Sequence, residues 1–246
     1  MRKVLLSILS LLFILPSSAQ TTSDSLALKS NFKASELIVP LSLIGVGALG
    51  FVEPIKGACG DLRSYVNNWR GDCRSTVVDD YLQYVPLASV YGFSLLGADA
   101  KHNYVDRTLE VGVAGVALVG MVGGAKYLIH KERPNGEDFN SFPSGHSAKA
   151  FMGAELVRIE YGEEHPWLAV GAYTLATATG ALRVYNDHHW LSDVIAGAGV
   201  GILSARIGYW LLPYTKRMMH RLTGWDIFVA PTASNMGATL NTVVKF

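Results

Sequence analysis

Charged residues are scarce in this chain of 246 residues, where they make up 17% of the sequence, compared with roughly 25% in soluble domains. The 21 basic and 20 acidic side chains nearly cancel, giving a formal net charge of +1. No long basic run or alternation of aromatic and basic residues occurs, so nothing indicates a nucleic-acid partner. Half of the residues are hydrophobic and 25 are glycine, which favours closely packed helices, within a membrane or outside one.

Cysteine is rarer still, with only Cys59 and Cys73 in the whole chain. No second Cys or His pair lies near them, so their spacing fits no metal site. In an exported protein an even number of cysteines favours a disulfide, which would close this polar segment. Two free thiols in a reducing compartment are the alternative. The disulfide prediction depends on export, and it places residues 53–80 outside the cytoplasm.

The N-terminus has the pattern of an export signal. Arg2-Lys3 is positively charged, Val4 to Leu15 is apolar, and Ser17-Ser18-Ala19 resembles a cleavage site. We therefore expect a signal peptide over residues 1–19. An uncleaved anchor is the alternative, although about a dozen apolar residues are few for a bilayer core of about 30 Å.

Strand patterns are nearly absent before residue 225. Instead, Gly, Pro or charged connectors separate apolar stretches of about three to six helical turns. We therefore predict an all-α fold, a bundle of about five to six core helices. The apolar stretches are 37–52, 81–97, 108–130, 145–161, 167–185 and 190–212.

The chain shows no internal repeat and no low-complexity linker, so we expect one domain over residues 20–246 with its motif-bearing core at 108–212. From Trp225 to Phe246 the sequence changes to alternating Val, Thr and Asn. This tail predicts a short hairpin or an extended segment that packs on the domain, because one hairpin cannot form a membrane barrel.

Membrane insertion is expected for part of this bundle. Stretches 108–130 and 190–212 are long and apolar enough to span a bilayer. Stretch 145–161 carries Lys149, Glu155 and Arg158, and such charges cost several kcal/mol in lipid unless they face the bundle interior. A soluble helical bundle is the alternative.

The placement of basic residues favours one orientation. If all five stretches from 81–97 onward cross, two basic clusters fall on one side and the motif-bearing connectors on the other. The positive-inside rule then directs the motifs to the periplasm. This topology requires stretch 37–52 not to cross. The basic clusters are Lys101, His102 and Arg107, and Lys216, Arg217 and Arg221.

The first motif consists of Lys126, Arg133 and Pro134. Seven residues are about two helical turns, so both cations can project from one helix face before Pro134 stops the helix. Arg binds a phosphate with two parallel hydrogen bonds, and Lys adds a point charge. An ordinary solvated basic helix end is the alternative, and it is the role that we expect for Lys131 and Glu132.

The second motif is Pro143-Ser144-Gly145-His146, a turn that leads into a helix. Gly145 lets the backbone approach an anion, and the N–H groups of the helix N-terminus point at it. Ser144 adds a hydroxyl donor, and His146 can protonate a leaving oxygen as a general acid. The alternative is a capping serine followed by a surface histidine.

The third motif contains Arg183, His189 and Asp193. His189 and Asp193 are four residues apart and share a helix face. A carboxylate that accepts a hydrogen bond from Nδ1 leaves Nε2 free to attack phosphorus. Arg183 completes the cationic cradle, and we assign His188 to the rim. No third ligand has suitable spacing for a metal, so we predict neither metal nor cofactor.

Together these motifs resemble the type 2 phosphatidic acid phosphatase superfamily, whose pattern is K-x6-RP, PSGH and SR-x5-H-x3-D. That superfamily includes bacterial acid phosphatases and vanadium haloperoxidases. The serine before the arginine is Leu182 here, so one possible hydrogen bond to phosphate is missing. The resemblance extends over about 81–212. The matching residues are Lys126, Arg133, Pro134, Pro143, Ser144, Gly145, His146, Arg183, His189 and Asp193.

The resemblance implies a metal-independent phosphatase with a phosphohistidine intermediate. His189 would attack phosphorus, Asp193 would orient it, and His146 would protonate the leaving alcohol. Water would then hydrolyse the intermediate. The equatorial oxygens would be stabilised by Lys126, Arg133, Ser144, Gly145 and Arg183.

An exported, apolar member of this superfamily is expected to act on a lipid phosphate at the periplasmic face of the inner membrane. The segment 79–86 ahead of the core makes the chain similar to lipid A phosphatases, so we expect the lipid A 4′- or 1-phosphate as substrate. Undecaprenyl diphosphate, phosphatidylglycerol phosphate and small soluble esters are alternative substrates. The motifs would also suit a haloperoxidase, or a phospholipid-binding protein without catalytic activity.

Overall fold

The computed structural model of the chain describes residues 32–71, 75–223, 226–234 and 237–245. The expected signal peptide or anchor over residues 1–19 lies outside these ranges. Cys73 also lies outside them, so the disulfide with Cys59 stays a prediction.

Eight α-helices and one β-hairpin make up most of the described residues. Two short 3-10 turns, Ala34–Leu37 and Leu49–Phe51, flank the first helix. The predicted all-α bundle is confirmed. The helices are α1 (Ile38–Ala48), α2 (Ile55–Arg70), α3 (Val78–Leu82), α4 (Val85–Leu95), α5 (Tyr104–Ile129), α6 (Gly145–Tyr161), α7 (Pro166–Tyr185) and α8 (Leu191–Thr223).

The tail forms the hairpin that its alternating pattern predicts. Strand β1 (Asp226–Ser234) pairs antiparallel with β2 (Gly237–Lys245). The register places Asp226 opposite Lys245 and Ser234 opposite Gly237.

Helix α6 is the centre of the bundle, with most of its side chains buried. Helices α4, α7 and α8 pack around it, and α8 also contacts α1 and α5. Small residues permit the closest approaches. A Cβ atom at Gly201 would lie 2.2 Å from the carbonyl oxygen of Ala148, and one at Gly208 would lie 2.5 Å from that of Glu110.

Three helical segments in the described part of the chain are long and apolar enough to cross a membrane: Ala34–Phe51, Tyr104–Ile129 and Leu191–Thr223. The first two expose most of their surface, with only 17% of each apolar window buried. The first corresponds to stretch 37–52, which the topology described above requires not to cross; its length and composition alone would allow a span, and it packs on α8. The segment contains Pro40 and several glycines, and its helix Ile38–Ala48 packs closely on α8.

The Glu155 carboxylate of α6 faces the bundle interior, which is where a charge is tolerated in a membrane protein. Glu155 is buried and pairs with Arg158 at 2.9 Å and with Arg206 at 2.5 Å. The Tyr173 hydroxyl also donates to Glu155. Glu155 therefore belongs to an internal network that reaches the surface at the partly exposed Arg158.

Helix α2 was not predicted, because its segment is polar and interrupted by glycine. It lies across the end of α7, where the Arg70 guanidinium donates to the Tyr185 carbonyl at 2.7 Å. Cys59 is therefore on a helix rather than in the loop that we expected.

The antiparallel arrangement brings the motifs to one end of the bundle. The C-terminal ends of α5 and α7 and the N-terminal ends of α6 and α8 meet there. The opposite end is marked by an ion pair of 2.8 Å between Lys216 and Asp106, which joins the end of α8 to the start of α5. Arg107, a member of the first basic cluster, is buried and donates to the Val90 carbonyl at 2.7 Å.

Candidate active site

Backbone hydrogen bonds tie the three motifs together. The Ser144 N–H, at the start of α6, donates to the Asp193 carbonyl in the first turn of α8 at 3.0 Å. The Ser141 N–H donates to the Lys131 carbonyl at 2.9 Å. The connector after α5 is thus fixed to the helices that carry the second and third motifs.

His189 lies in the loop between α7 and α8, not on a helix face with Asp193 as predicted, and it is almost fully buried. Its backbone N–H donates to the Arg183 carbonyl at 3.3 Å. Its Nδ1 lies 2.7 Å from the Ser141 carbonyl. A carbonyl can only accept, so the proton is on Nδ1 and the lone pair is on Nε2. This is the tautomer that a nucleophile needs.

The electrostatic surroundings keep His189 neutral. Burial is the largest cause that lowers its pKa well below the usual value, and the positive charges of Arg183, Arg133 and Lys126 lower it further. The hydrogen bond to Ser141 opposes this effect. The three predicted cations therefore all act on the predicted nucleophile.

Asp193 makes different contacts from the predicted one. Its Oδ2 is 4.0 Å from His189 Nδ1, too far for a hydrogen bond. It accepts instead from the Ser141 hydroxyl at 2.5 Å and from the Trp190 N–H at 3.1 Å. The direct Asp193–His189 hydrogen bond is thus corrected: the Ser141 carbonyl holds the ring, and Asp193 holds Ser141.

Lys131 also differs from its expected role as a solvated side chain. Its Nζ donates to Asp193 Oδ1 at 2.7 Å and to Ser192 Oγ at 3.0 Å. It also lies 4.8 Å from the Phe51 ring centroid. Lys131 is therefore the counter-ion of a fully buried carboxylate. Glu132, by contrast, is exposed as expected.

Arg183 is on the last turn of α7, as predicted, and is buried. Its guanidinium donates to Asp79 Oδ2 at 2.5 Å, and Asp79 also accepts from the Asn186 side chain at 2.8 Å. The Arg183 Nε has no partner among the described residues. The Asp79 contact fixes the guanidinium and leaves Nε available to an anion.

Arg133 and Lys126 do not share a helix face as predicted. Helix α5 ends at Ile129, and His130 has a positive φ of 49°, so the chain turns before Arg133. The Arg133 Nε donates to Asp138 at 2.8 Å. Lys126 is half-buried in the last turn of α5 and makes no hydrogen bond or ion pair with any other described side chain.

Ser144 is the N-cap of α6, which is the alternative that the sequence left open for this residue. Its Oγ accepts from the Ser147 hydroxyl at 3.0 Å and from the Ser147 N–H at 3.4 Å. The Ser144 proton remains free to donate. Gly145 is the first residue of α6, and a Cβ there would meet only Val122, at 3.8 Å. Packing within the protein therefore does not require glycine at this position.

His146 is in the first turn of α6, where its Nε2–H donates to Asp80 Oδ1 at 3.0 Å. Burial lowers its pKa to about 4, the charge of Arg183 adds to this effect, and the hydrogen bond to Asp80 opposes it. A dianionic phosphate beside the ring raises the pKa again, because the opposite charge favours the imidazolium.

Helix α2 contacts the loop between α7 and α8, which carries His189, from the outside. Arg63 forms two hydrogen bonds with Asp187, at 2.8 and 2.9 Å, and lies 5.6 Å from the Trp190 ring centroid. Asp187 has a left-handed φ of 62°. His188 is at the rim as expected, 3.8 Å from Glu137.

Residues 107–217 match the family model of the PAP2 superfamily. The matched range contains all three motifs. Over this range the chain is similar to the PAP2 superfamily.

Parts of the chain are also similar to named proteins. A lipid A 1-phosphatase of Porphyromonas gingivalis is 42% identical over 137 residues, which are 55% of this chain and 31% of the relative. The bacitracin transport permease protein BcrC of Bacillus licheniformis is 36% identical over 74 residues, 30% of this chain and 34% of the relative. A lipid A 1-phosphatase of Helicobacter pylori is 26% identical over 135 residues, 51% of this chain and 65% of the relative. The chain thus spans about a third of the length of the first two relatives.

Two solved structures show weaker similarity to the chain. Aquifex aeolicus LpxE is 21% identical with a TM-score of 0.46, covering 60% of this chain and 92% of that protein. A PAP2-type phosphatidylglycerolphosphate phosphatase of Bacillus subtilis is 19% identical with a TM-score of 0.40, covering 74% of this chain and 98% of that protein.

Four residues around the candidate site were not recognised from the sequence: Asp79, Ser141 and Arg63 were given no role, and Lys131 was expected to be solvated. Asp79 stands in the segment that resembled lipid A phosphatases, and that segment was the only signal for it. Lys131 was indistinguishable from a solvated lysine. Ser141 acts through its carbonyl, which no side-chain pattern reveals.

Proposed function

We propose that this chain is a membrane phosphatase that removes the 1-phosphate of lipid A through a phosphohistidine on His189. The main support is the arrangement around His189: a buried neutral imidazole with Nδ1 bonded to a carbonyl and three cations acting on it. The relative of 42% identity named lipid A 1-phosphatase supports the choice of substrate.

In the first step, His189 Nε2 attacks phosphorus and the bond from phosphorus to the lipid oxygen breaks. The Ser141 carbonyl holds the ring while positive charge develops on it. The developing negative charge on the equatorial oxygens is stabilised by the fixed cations and N–H groups of the cradle. The cradle consists of Lys126, Arg133, Ser144, Gly145 and Arg183.

His146 supplies the proton to the leaving lipid oxygen and then removes a proton from the water that hydrolyses the phosphohistidine. Asp80 accepts a hydrogen bond from the Nε2 of His146 at 3.0 Å. The reaction therefore needs no metal in this proposal. Retention of full activity after exhaustive treatment with a chelator is the expected result.

A lipid substrate suits the surroundings of the site. A groove of about 480 Å³ next to Lys131, Phe51 and Trp190 is lined by none of the cradle residues, so the case for a lipid rests on the apolar helices. The apolar spans next to the site would let a headgroup enter while its acyl chains remain in the bilayer.

We further propose that the protein is in the inner membrane with this site facing the periplasm, after removal of the signal peptide and with Cys59 bonded to Cys73. Lys101 and Lys216 lie at the opposite end of the bundle, which the positive-inside rule directs to the cytoplasm. Accessibility of a single cysteine at Asn135 to a membrane-impermeant maleimide in intact spheroplasts, in a background with serine at Cys59 and Cys73, tests the orientation. Labelling only after lysis would contradict it.

The decisive experiment measures phosphate release by the detergent-purified full chain from bisphosphorylated lipid A, undecaprenyl diphosphate and an aryl phosphate. Mass analysis of the lipid A product identifies the phosphate that is lost. His189→Ala is the inactive variant, and His188→Ala, with the neighbouring imidazole removed at the rim, is its matched control.

We expect rapid loss of the lipid A 1-phosphate by the wild type and by His188→Ala, and none by His189→Ala. Faster phosphate release from undecaprenyl diphosphate than from lipid A would mean that the substrate is the carrier lipid. Equal turnover of the aryl ester would favour a non-specific phosphatase. Unchanged phosphate release by His189→Ala would remove the catalytic assignment altogether.

A further inference from the structure

A second cluster of ionisable side chains lies at the end of the bundle opposite the active site. It consists of Glu110 on α5, Glu160 on α6 and His102 in the connector before α5. Each side chain offers one potential ligand atom, and these atoms all lie within 4.8 Å of one another. Glu110 precedes Lys126 by sixteen residues, which is about 24 Å along a helix.

Glu110 is the unusual member of this cluster. It is 1% exposed, and neither of its carboxylate oxygens has a hydrogen-bond partner among the described residues. A carboxylate removed from water without a partner is strongly disfavoured. Glu110 therefore needs either a proton or a cation to neutralise it.

Glu160 does not provide that neutralisation, because it is a second buried carboxylate. Its oxygens accept from the His102 N–H at 3.0 Å and contact His102 Nδ1 at 2.7 Å. Within the described ranges no Lys or Arg pairs with either glutamate, and the nearby Lys101 contacts Glu163 at 3.4 Å and lies over the Tyr209 ring. Within the described residues, the two acidic groups therefore have no Lys or Arg partner.

We propose that Glu110, Glu160 and His102 bind a divalent transition-metal ion, with Zn²⁺ as the best fit. One imidazole nitrogen and two carboxylate oxygens form a ligand set suited to zinc, whereas Mg²⁺ and Ca²⁺ prefer oxygen ligands alone. The partly exposed His102 gives the ion a path from solvent. This site would join α5, α6 and the connector, so it stabilises the bundle without taking part in phosphate chemistry.

The test uses the full chain in detergent, stripped with a chelator, dialysed and titrated with ZnCl₂ or MgCl₂. Elemental analysis after gel filtration gives the retained zinc, and thermal unfolding gives the change in Tm. Glu110→Gln keeps the side-chain shape and removes a ligand charge. His102→Ala, at a partly exposed position, is the second variant in case Glu110→Gln does not fold.

We expect the wild type to retain about one zinc and to gain Tm with Zn²⁺ but not with Mg²⁺. Either variant should bind zinc at least about tenfold more weakly, since loss of a ligand should cost no less than loss of an outer partner. A second group of potential ligands among the described residues consists of Asp79, Asp80 and His146. The Asp80→Asn variant lacks one ligand of that group, and this protein should still retain the zinc.

Three results would overturn the proposal. A wild type that retains no zinc and shows no zinc-dependent Tm would mean that Glu110 is neutralised by a proton. Equal zinc binding by the wild type and the folded variants would place the metal elsewhere. Loss of zinc in Asp80→Asn alone would place it at the active-site end.

Discussion

Lys131 neutralises the buried carboxylate of Asp193 through an ion pair. Its amino group is the only Lys or Arg nitrogen within ion-pair distance of Asp193 among the residues described, at 2.7 Å, and the carboxylate is fully buried. Asp193 in turn accepts from the Ser141 hydroxyl, and the Ser141 carbonyl orients His189. A change at Lys131 therefore reaches the nucleophile through two hydrogen-bonded groups.

We predict that Lys131→Met lowers the free energy of unfolding by about 2–3 kcal/mol, because it leaves a buried charge with neutral donors only. It should also lower kcat at least about tenfold, since small displacements of a nucleophile are costly. Thermal unfolding and steady-state kinetics measure the two effects.

The matched control is Lys56→Met, which removes an exposed pair with Glu53 of 4.0 Å. Exposed pairs contribute little, so both stability and kcat should stay close to the wild type. If Lys131→Met behaved like Lys56→Met, the proposed chain of contacts to His189 would be wrong.

The lowered pKa of His189 predicts how stability depends on pH. Above about pH 6.5 the ring is neutral in both the folded and unfolded states. Below it, the unfolded chain takes up a proton that the folded protein does not, so falling pH favours unfolding. Between pH 7.5 and 5, Tm should therefore fall, and it should fall less in His189→Gln.

His146 contributes in the same direction, because its pKa is lowered to about 4. Its contribution is lost progressively between about pH 6.5 and pH 4. The His189→Gln variant should therefore keep part of the acid sensitivity. An identical fall of Tm in wild type and His189→Gln would show that the His189 pKa is not lowered.

At the scale of residues, the sequence showed which residues belong to the site better than it showed which residues they contact. Lys126, Arg183 and His189 were recognised because their spacing is a pattern in the chain, and the structure brings them together. The direct bond from Asp193 to His189 was predicted wrongly, because His189 precedes α8 and the four-residue helical spacing does not apply. Asp79 is more than one hundred residues from Arg183, and no local pattern reports such a pairing.

The start of α6 offers a test at the scale of a helix. A Cβ at Gly145 meets only Val122 at 3.8 Å, so Gly145→Ala should leave Tm unchanged. If the N-terminal N–H groups of α6 receive the phosphate, the added methyl group obstructs its approach. We expect kcat/KM for lipid A to fall at least about tenfold.

Gly201→Ala is the contrasting variant. Its Cβ would lie 2.2 Å from the Ala148 carbonyl oxygen, so the close contact of α8 with α6 must open and Tm should fall. Wild-type activity in Gly145→Ala would show that phosphate does not bind against this helix end.

Helix α2 is predicted to position the catalytic loop. Arg63→Ala removes both hydrogen bonds to Asp187, which has a left-handed backbone. We expect about a tenfold loss of kcat/KM from the loosened loop. Arg63→Lys keeps the charge but not the double hydrogen bond, so its activity should be intermediate.

Steady-state kinetics with purified variants provides the comparison, and circular dichroism shows whether α2 remains folded. If Arg63→Ala had the kcat/KM of the wild type, α2 would not position the loop that carries His189. The sequence did not predict α2, because the segment is polar, and what favours the helix is its packing against the loop rather than an apolar pattern.

At the scale of the whole molecule, the sequence predicted the helices of the bundle well. Stretches 145–161 and 167–185 agree with α6 and α7 within a residue, because long apolar periodic segments are recognisable without tertiary information. That stretch 37–52 does not cross the membrane stays a prediction, because only its length and composition mark it as a candidate span. Its close packing on α8 depends on a small residue of α8, since a Cβ at Gly199 would lie 2.6 Å from the Pro40 carbonyl oxygen.

The central claim is that His189 carries the phosphoryl group, and direct detection of that group tests it most directly. The purified full chain is mixed with lipid A in detergent, quenched in alkali to preserve phosphohistidine, and analysed by peptide mass spectrometry. We predict one phosphoryl group on His189, none on His188, and none in the His189→Ala variant. A phosphoryl group on another residue, or turnover with His189 absent, would contradict the mechanism.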